Sequence, residues 1–196
     1  MKEINFNNSS WPFKLDEICL YAFWEKAFSK EECLNIIDIA KKRGLVRGKT
    51  AGEESNDIRD SEVSWLFPND DMVWAFQHCT DLITDLNKRF FNFDLYGLSE
   101  GFQFTNYKAP GGKYGKHIDR GFKTVVRKLS LSIQLTDPSE YEGGELYLYE
   151  NDERVLMDKK QGTLIVFPSY VLHEVTPVTK GERNSLVSWV TGPPFK

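Results

Sequence analysis

The chain lacks most of what would tie it to a membrane, a disulfide framework or a nucleic acid. No apolar run approaches the ~18–20 residues that span a bilayer, and residues 1–8 are polar, without the hydrophobic stretch of a secretory signal. Cysteine is scarce: Cys19, Cys33 and Cys79 are odd in number and not at metal-ligand spacing. They read as reduced, mostly buried thiols, which implies a cytoplasmic protein. Positive charge is not in excess, since the net charge is −4 and the pI about 5.5, so the basic field of a general nucleic-acid binder is missing. There is no long linker, internal repeat or low-complexity tract. A length of 196 residues suits one domain with a sizeable core.

What is present is patterned. Ser29 and Glu32 form a capping box ahead of a 3.6-residue stripe of Cys33, Leu34, Ile36, Ile37 and Ala40, which Gly44 can close. Residues 47–60 are polar and read as a mobile surface loop, a candidate lid. Residues 61–67 alternate like a strand. Asp70 or Asp71 can cap a second helix whose stripe is Met72, Ala75, Phe76, Cys79, Leu82, Ile83, Leu86 and Phe90. Beyond residue 91 the period becomes two. Phe102 and Phe104 oppose Gln103, Thr105 and Tyr107, and Leu129, Leu131, Ile133 and Leu135 alternate with Ser130, Ser132 and Gln134. Leu146 and Leu148 alternate with Glu145, Tyr147 and Tyr149. Residues 162–167 and 183–189 are further strands. Helices first and short strands after predict an α+β fold with helices packed on one sheet. The aliphatic faces then turn to the helices, and the polar faces line a cleft.

Histidine is also scarce, and two of the three residues are distinctively placed. His117 and Asp119 form a His-x-Asp pair, which on a strand or strand end sets both side chains on one face. His173 follows 56 residues later and Arg183 ten after that. Two imidazoles and one carboxylate make the ligand set that holds Fe(II) on one face and leaves the other open. A trailing arginine never deprotonates and can grip a carboxylate with two parallel hydrogen bonds, and Ser185 can add a hydroxyl donor. With three His and thirteen Asp, a His-x-Asp pair arises by chance in about one such chain in five, so its companions carry the reading. His78 falls within the second helix and reads as structural. A turn at Lys180-Gly181 would make a hairpin that brings Arg183 back beside the metal.

Residues 93–192 resemble the 2-oxoglutarate/Fe(II)-dependent oxygenases, in their prolyl-4-hydroxylase-like branch. The matching stretches are Gln-Phe-Thr-Asn-Tyr (103–107), Gly-Lys-His-Ile-Asp (115–119), residues 129–135, Gly-Gly-Glu-Leu (143–146), Phe-Pro-Ser (167–169), His-Glu-Val-Thr-Pro (173–177) and Gly-Glu-Arg-Asn-Ser (181–185). The resemblance implies a single domain over 1–196: a double-stranded β-helix (jelly-roll, cupin-like) core at about 93–196 behind a helical support region at about 1–92. It implies His117, Asp119 and His173 as iron ligands, Arg183 as the grip on the distal carboxylate of 2-oxoglutarate, and Tyr107 as a co-substrate contact. Trp189 matches an aromatic position near the pocket, and Arg127 a substrate-contacting arginine of some relatives. Gln134 stands where several relatives carry a co-substrate-binding tyrosine, and a glutamine can still donate to a carboxylate. Trp189 also replaces the second arginine of the nucleic-acid demethylases, against that function.

The implied reaction is hydroxylation of a C–H bond, a prolyl residue in a protein or peptide first, with O2 consumed, 2-oxoglutarate converted to succinate and CO2, and ascorbate as reductant. The alternatives are a hydroxylase of a free amino acid or other small molecule, and a non-catalytic cupin-like metal-binding module. A zinc hydrolase is weaker, for want of a further base beside the triad. Between residues 108 and 128, Lys108, Lys113, Lys116, Arg120, Lys123, Arg127 and Lys128 face a single acid, Asp119. They suggest either a basic rim for an acidic substrate or a solvated loop.

Overall fold

The computed structural model describes residues 18–49, 58–69, 71–119 and 126–194. Residues 1–8, most of the 47–60 stretch, Asp70, Arg120 and Lys123 lie outside the described residues.

Two helices and fourteen strands are numbered here in chain order among those residues: β1 Ala22–Trp24, α1 Lys30–Arg43, β2 Val46–Arg47, β3 Arg59–Asp60, β4 Glu62–Leu66, α2 Val73–Leu86, β5 Gly97–Leu98, β6 Phe102–Lys108, β7 Lys113–His117, β8 Arg127–Gln134, β9 Tyr141–Gly143, β10 Leu146–Glu150, β11 Glu153–Leu156, β12 Leu164–Pro168, β13 His173–Val175 and β14 Val178–Thr191. The larger sheet runs β1-β12-β8-β14-β6-β4-β2, with β5 and β9 on opposite ends of β14; the smaller runs β11-β10-β13-β7-β3. All pairs are antiparallel. This is the expected α+β fold with a jelly-roll core. Strands from before residue 92 enter both sheets: β1, β2 and β4 the larger, β3 the smaller. β4 is the strand expected at 61–67, whereas β1, β2 and β3 are too short for periodicity to reveal.

The capping box forms as its spacing requires. Ser29 Oγ accepts from Glu32 N at 3.2 Å, and Ser29 N donates to Glu32 Oε2 at 2.7 Å. Gly44, at φ 93°, ends α1. The start of α2 differs from expectation. Its N-cap is Met72, with no side-chain bond, because Asn69 organises the turn instead: its Oδ1 accepts from Asp71 N, and its carbonyl from Met72 and Val73 N. After Leu86 the helix widens into a π turn over Asn87–Phe91. The extra residue rotates the stripe, so Phe91 is buried and Phe90 only half-buried.

The period-two reading predicts two faces, and the sheet has them. Phe102, Phe104, Leu129, Ile133 and Leu135 pack on Cys33, Ile36 and Ala40 of α1 and on Ala75, Phe76, Cys79, Ile83 and Leu86 of α2. Phe76 and Phe102 lie 4.0 Å apart between ring centroids. The opposite face looks toward the smaller sheet, where Tyr107, Ile165 and Phe167 meet Leu146, Leu148 and Val175. One connection corrects the sequence reading. Residues 180–181 make no turn: β14 is a single 14-residue strand that pairs with β9 at its start and then with β6 and β8. Gly181, at φ 72°, lets the chain pass Glu140 while its carbonyl still accepts from Ala109 N. β13 and β14 accordingly join different sheets rather than forming a hairpin.

Candidate functional site

The last residue of β7 and the first of β13 are Cα partners: His117 opposes His173. Each ring is fixed by a backbone carbonyl two residues back, His117 Nδ1 to Gly115 O at 2.7 Å and His173 Nδ1 to Val171 O at 3.0 Å. A carbonyl only accepts, so each Nδ1 carries the proton and each Nε2 keeps a free lone pair. Burial, then the neighbouring His173 ring, lowers the His117 pKa to about 4, so this imidazole is neutral and available at neutral pH.

Asp119 completes the cluster from just beyond β7. Its Oδ1 lies 3.7 Å from His117 Nε2 and its Oδ2 3.5 Å from His173 Nε2. The candidate ligand atoms all fall within 4.8 Å of one another. Donors ~2.1 Å from one ion and at right angles stand about 3 Å apart, so the set fits a single ion after a small contraction. Ser130 Oγ donates to Asp119 Oδ2 at 2.7 Å and meets Ser169 Oγ at 3.0 Å, and Asp119 N donates to Ser169 O. Burial raises the Asp119 carboxyl, but the His173 and His117 rings, then the Trp189 indole and Ser130, outweigh it and hold it below the usual carboxylate range.

Across the same pocket stands Arg183, 1% exposed and the Cα partner of Tyr107. Its Nη2 donates to Gln134 Oε1 at 2.8 Å, its Nη1 reaches Ser185 Oγ only at 3.5 Å, and its Nε has no partner. The guanidinium carbon lies 5.4 Å from the Tyr107 ring centroid. No carboxylate among the described residues pairs with it. A buried cation costs several kcal/mol unless it is compensated, so the arrangement suits an incoming anion. Gly144 runs past the arginine stem, where a Cβ would come within 2.9 Å of Arg183 Cδ. The space between these groups, a cavity of about 50 Å³ that opens to solvent, is lined by Tyr107, His117, Asp119, His173, Arg183, Ser185 and Trp189 among others.

Gln134 turns its oxygen to Arg183 and its Nε2 to Ser132 Oγ at 3.3 Å, so it orients the arginine. Arg127 points its donors inward: Nε and Nη2 to Glu100 at 2.6 and 2.5 Å, and Nη1 to Asp119 O at 3.2 Å, with its guanidinium 3.7 Å over Trp189. The described basic residues of 108–128 are largely engaged as well: Lys108 pairs with Glu62, Lys116 covers the Tyr149 ring and Lys128 is buried. His78 binds Ala27 O on the helix side, away from the pocket. Sequence reasoning missed Arg59 and Tyr114, which also line the pocket. Tyr114 stacks on His117 at 3.5 Å between centroids. Arg59 lay inside the stretch read as a loop, and a two-residue strand carries no periodic signal.

Residues 102–191 match the sequence profile of the 2OG-Fe(II) oxygenase superfamily. A PKHD-type hydroxylase of Prochlorococcus marinus is 41% identical over 83 residues, covering 42% of this chain and 38% of that protein. One of Aliarcobacter butzleri is 28% identical over 179 residues, covering 84% and 75%. The chain thus spans about two fifths of the first relatives matched. Among solved structures, a Pseudomonas putida prolyl-4-hydroxylase superposes with a TM-score of 0.72 at 21% identity over 89% of this chain and 94% of that one. A Trichoplax adhaerens prolyl hydroxylase, in complex with a hypoxia inducible factor oxygen degradation domain peptide fragment, gives 0.75 at 20% identity over 88% and 84%.

Proposed function

From the match of residues 102–191 to the 2OG-Fe(II) oxygenase superfamily and the likeness to PKHD-type hydroxylases, we propose that the chain is a 2-oxoglutarate-dependent dioxygenase of the prolyl-4-hydroxylase-like branch that hydroxylates a prolyl residue in a protein or peptide. One observation carries the reading: an uncompensated buried arginine, Arg183, shares a pocket with three candidate ligand atoms from His117, Asp119 and His173. A metal-binding module without turnover has no use for a buried cation there.

In this reading His117, Asp119 and His173 hold Fe(II), and the bound metal supplies oxidative chemistry that couples 2-oxoglutarate decarboxylation to C–H hydroxylation. The backbone carbonyls of Gly115 and Val171 fix the imidazoles, and Ser130 fixes the carboxylate, so the ligand face is set before the ion arrives. Arg183 binds the far carboxylate of 2-oxoglutarate, with Ser185 and Tyr107 as hydroxyl donors beside it and Gln134 orienting the guanidinium. Trp189 and Phe167 exclude water from the ligand side. Two structural relatives are prolyl hydroxylases, one of them in complex with a peptide, which supports proline and a peptide in this role. Arg127 keeps its contacts with Glu100 and Asp119 and supports the site from behind.

The test is succinate release with Fe(II), 2-oxoglutarate and ascorbate, run with and without proline-containing peptides. Peptide-stimulated succinate, with a mass gain of one oxygen on proline, is expected. Succinate stimulated only by free amino acids or other small molecules would replace the peptide reading, and no succinate under any condition would reject turnover.

A further inference from the structure

Arg59 is a second buried arginine on the same pocket, and the proposed reaction leaves it without an anion. It is 6% exposed. Its Nε donates to Ser61 Oγ at 2.8 Å, its Nη2 to Gln103 Oε1 at 2.9 Å and its Nη1 to Lys49 O at 3.4 Å. These acceptors are all neutral, the Tyr114 hydroxyl is a further neutral partner, and no carboxylate among the described residues is within ion-pair distance of the guanidinium. The seat is closely built: a Cβ on Gly48 would fall 2.7 Å from both Arg59 Nε and Ser61 Oγ. The guanidinium lies 4.6 Å over the Tyr114 ring, and Tyr114 stacks in turn on His117. The guanidinium of Arg59 therefore sits one aromatic ring away from the candidate metal ligands.

The charges of the pocket sharpen the point. In the proposed function a metal dication and the 2-oxoglutarate dianion cancel, and Asp119 balances Arg183. Among the described residues Arg59 is left as one uncompensated positive charge, and a buried charge is costly until an anion meets it. Resting on that reading, we infer that Arg59 is a substrate-carboxylate site: the molecule to be hydroxylated bears a carboxylate, either its own terminal group or an acidic side chain beside the reacting residue. The basic segment 108–128 is not needed for this selectivity, since its described members are largely engaged within the protein.

The experiment is calorimetric binding to the full chain loaded with Mn(II) and 2-oxoglutarate, which blocks turnover and occupies Arg183. The probes are matched acids and neutral counterparts: N-acetyl-L-proline and its amide for a terminal carboxylate, acetyl-Glu-Pro-amide and acetyl-Gln-Pro-amide for a side chain, and N-acetylglycine and its amide for a carboxylate without the ring. In at least one pair the acid binds ten-fold or more tightly than its partner, and R59Q abolishes that preference while R59K retains part of it. The pair showing the preference identifies the carboxylate. Equal affinities throughout, or a preference that survives R59Q, overturn the inference. The native-chain comparison stands even if R59Q fails to fold. Failure of 2-oxoglutarate itself to bind sinks the proposed function instead, and a preference in the glycine pair alone keeps the carboxylate site while removing proline.

Discussion

His117 and His173 are Cα partners across β7 and β13, and both rings donate through Nδ1 to a carbonyl two residues behind them. Antiparallel register thus turns a separation of 56 residues into neighbouring ligand atoms. The third atom depends on Ser130, which holds Asp119 from β8. Replacing Asp119 with Ala should remove tight Fe(II) or Mn(II) binding. Ser130→Ala should keep the ligands but weaken metal affinity on the order of ten-fold, through a looser carboxylate. Anaerobic metal titration measures both, and wild-type affinity in the two variants would dismiss this centre.

Arg183 should act on the co-substrate and not on the metal. In the native chain with Mn(II), 2-oxoglutarate at a hundred times its Kd should stabilise the fold by about 2.7 kcal/mol. Arg183→Met loses about 2–5 kcal/mol of co-substrate binding, the penalty for truncating one partner of a buried charge pair. The ligand-induced rise in melting temperature should therefore vanish in the variant while Mn(II) affinity persists. A melting curve that still responds to 2-oxoglutarate in the variant would show that the anion sits elsewhere.

The legible part of the chain was the part with a long, regular period. Seven- and eight-residue strands such as β6 and β8 declare their faces in sequence, and the α1 cap is written in Ser29 and Glu32. The spacing of His117, Asp119, His173 and Arg183 brought all four into view, and the structure gathers them around one pocket. What escaped was set by tertiary partners. Asn69 rather than an aspartate starts α2, a π turn exchanges Phe90 for Phe91, and β14 runs on through Gly181 because its backbone stays paired. Arg59 escaped because its two-residue strand is defined only by β7 beside it.

The two faces of β8 predict opposite behaviour for adjacent residues. Ile133 is fully buried against the helices, so Ile133→Ala should cost about 2–5 kcal/mol. Metal affinity should stay within two-fold, since the site lies on the other side of the sheet. Denaturant unfolding and metal titration of one preparation decide it. A large loss of metal affinity with little loss of stability would mean that the faces are assigned the wrong way round.

The thiols give a pH dependence. Burial, then the charge of Glu32, pushes Cys33 up to about 12, and burial raises Cys79 further, whereas Cys19 is exposed. At pH 8 iodoacetamide should modify Cys19 quickly and the other two only on unfolding. An unfolded thiol ionises near ~8.5. The unfolded chain thus holds fewer protons than the folded one above that pH, and the thiol contribution to stability falls as pH rises from there towards about 12. Rapid alkylation of all three cysteines in the native protein at pH 8 would contradict this packing.

Arg127 tests whether the site is braced from behind. Its guanidinium joins Glu100 to the Asp119 carbonyl while lying over Trp189, so it links β8, β14 and the metal side of the pocket. Both members of the pair are about a quarter exposed, and solvent screening limits what the ion pair contributes. A double-mutant cycle of Arg127→Met and Glu100→Gln should give a coupling of about 0.5–3 kcal/mol in stability. The two single variants should differ in function. Arg127→Met removes the donor to Asp119 O and should weaken metal binding several-fold, whereas Glu100→Gln keeps a hydrogen-bond acceptor for the arginine and should barely change it. If Arg127 instead contacts substrate directly, Arg127→Met would leave metal affinity intact and raise only the KM for the hydroxylated molecule.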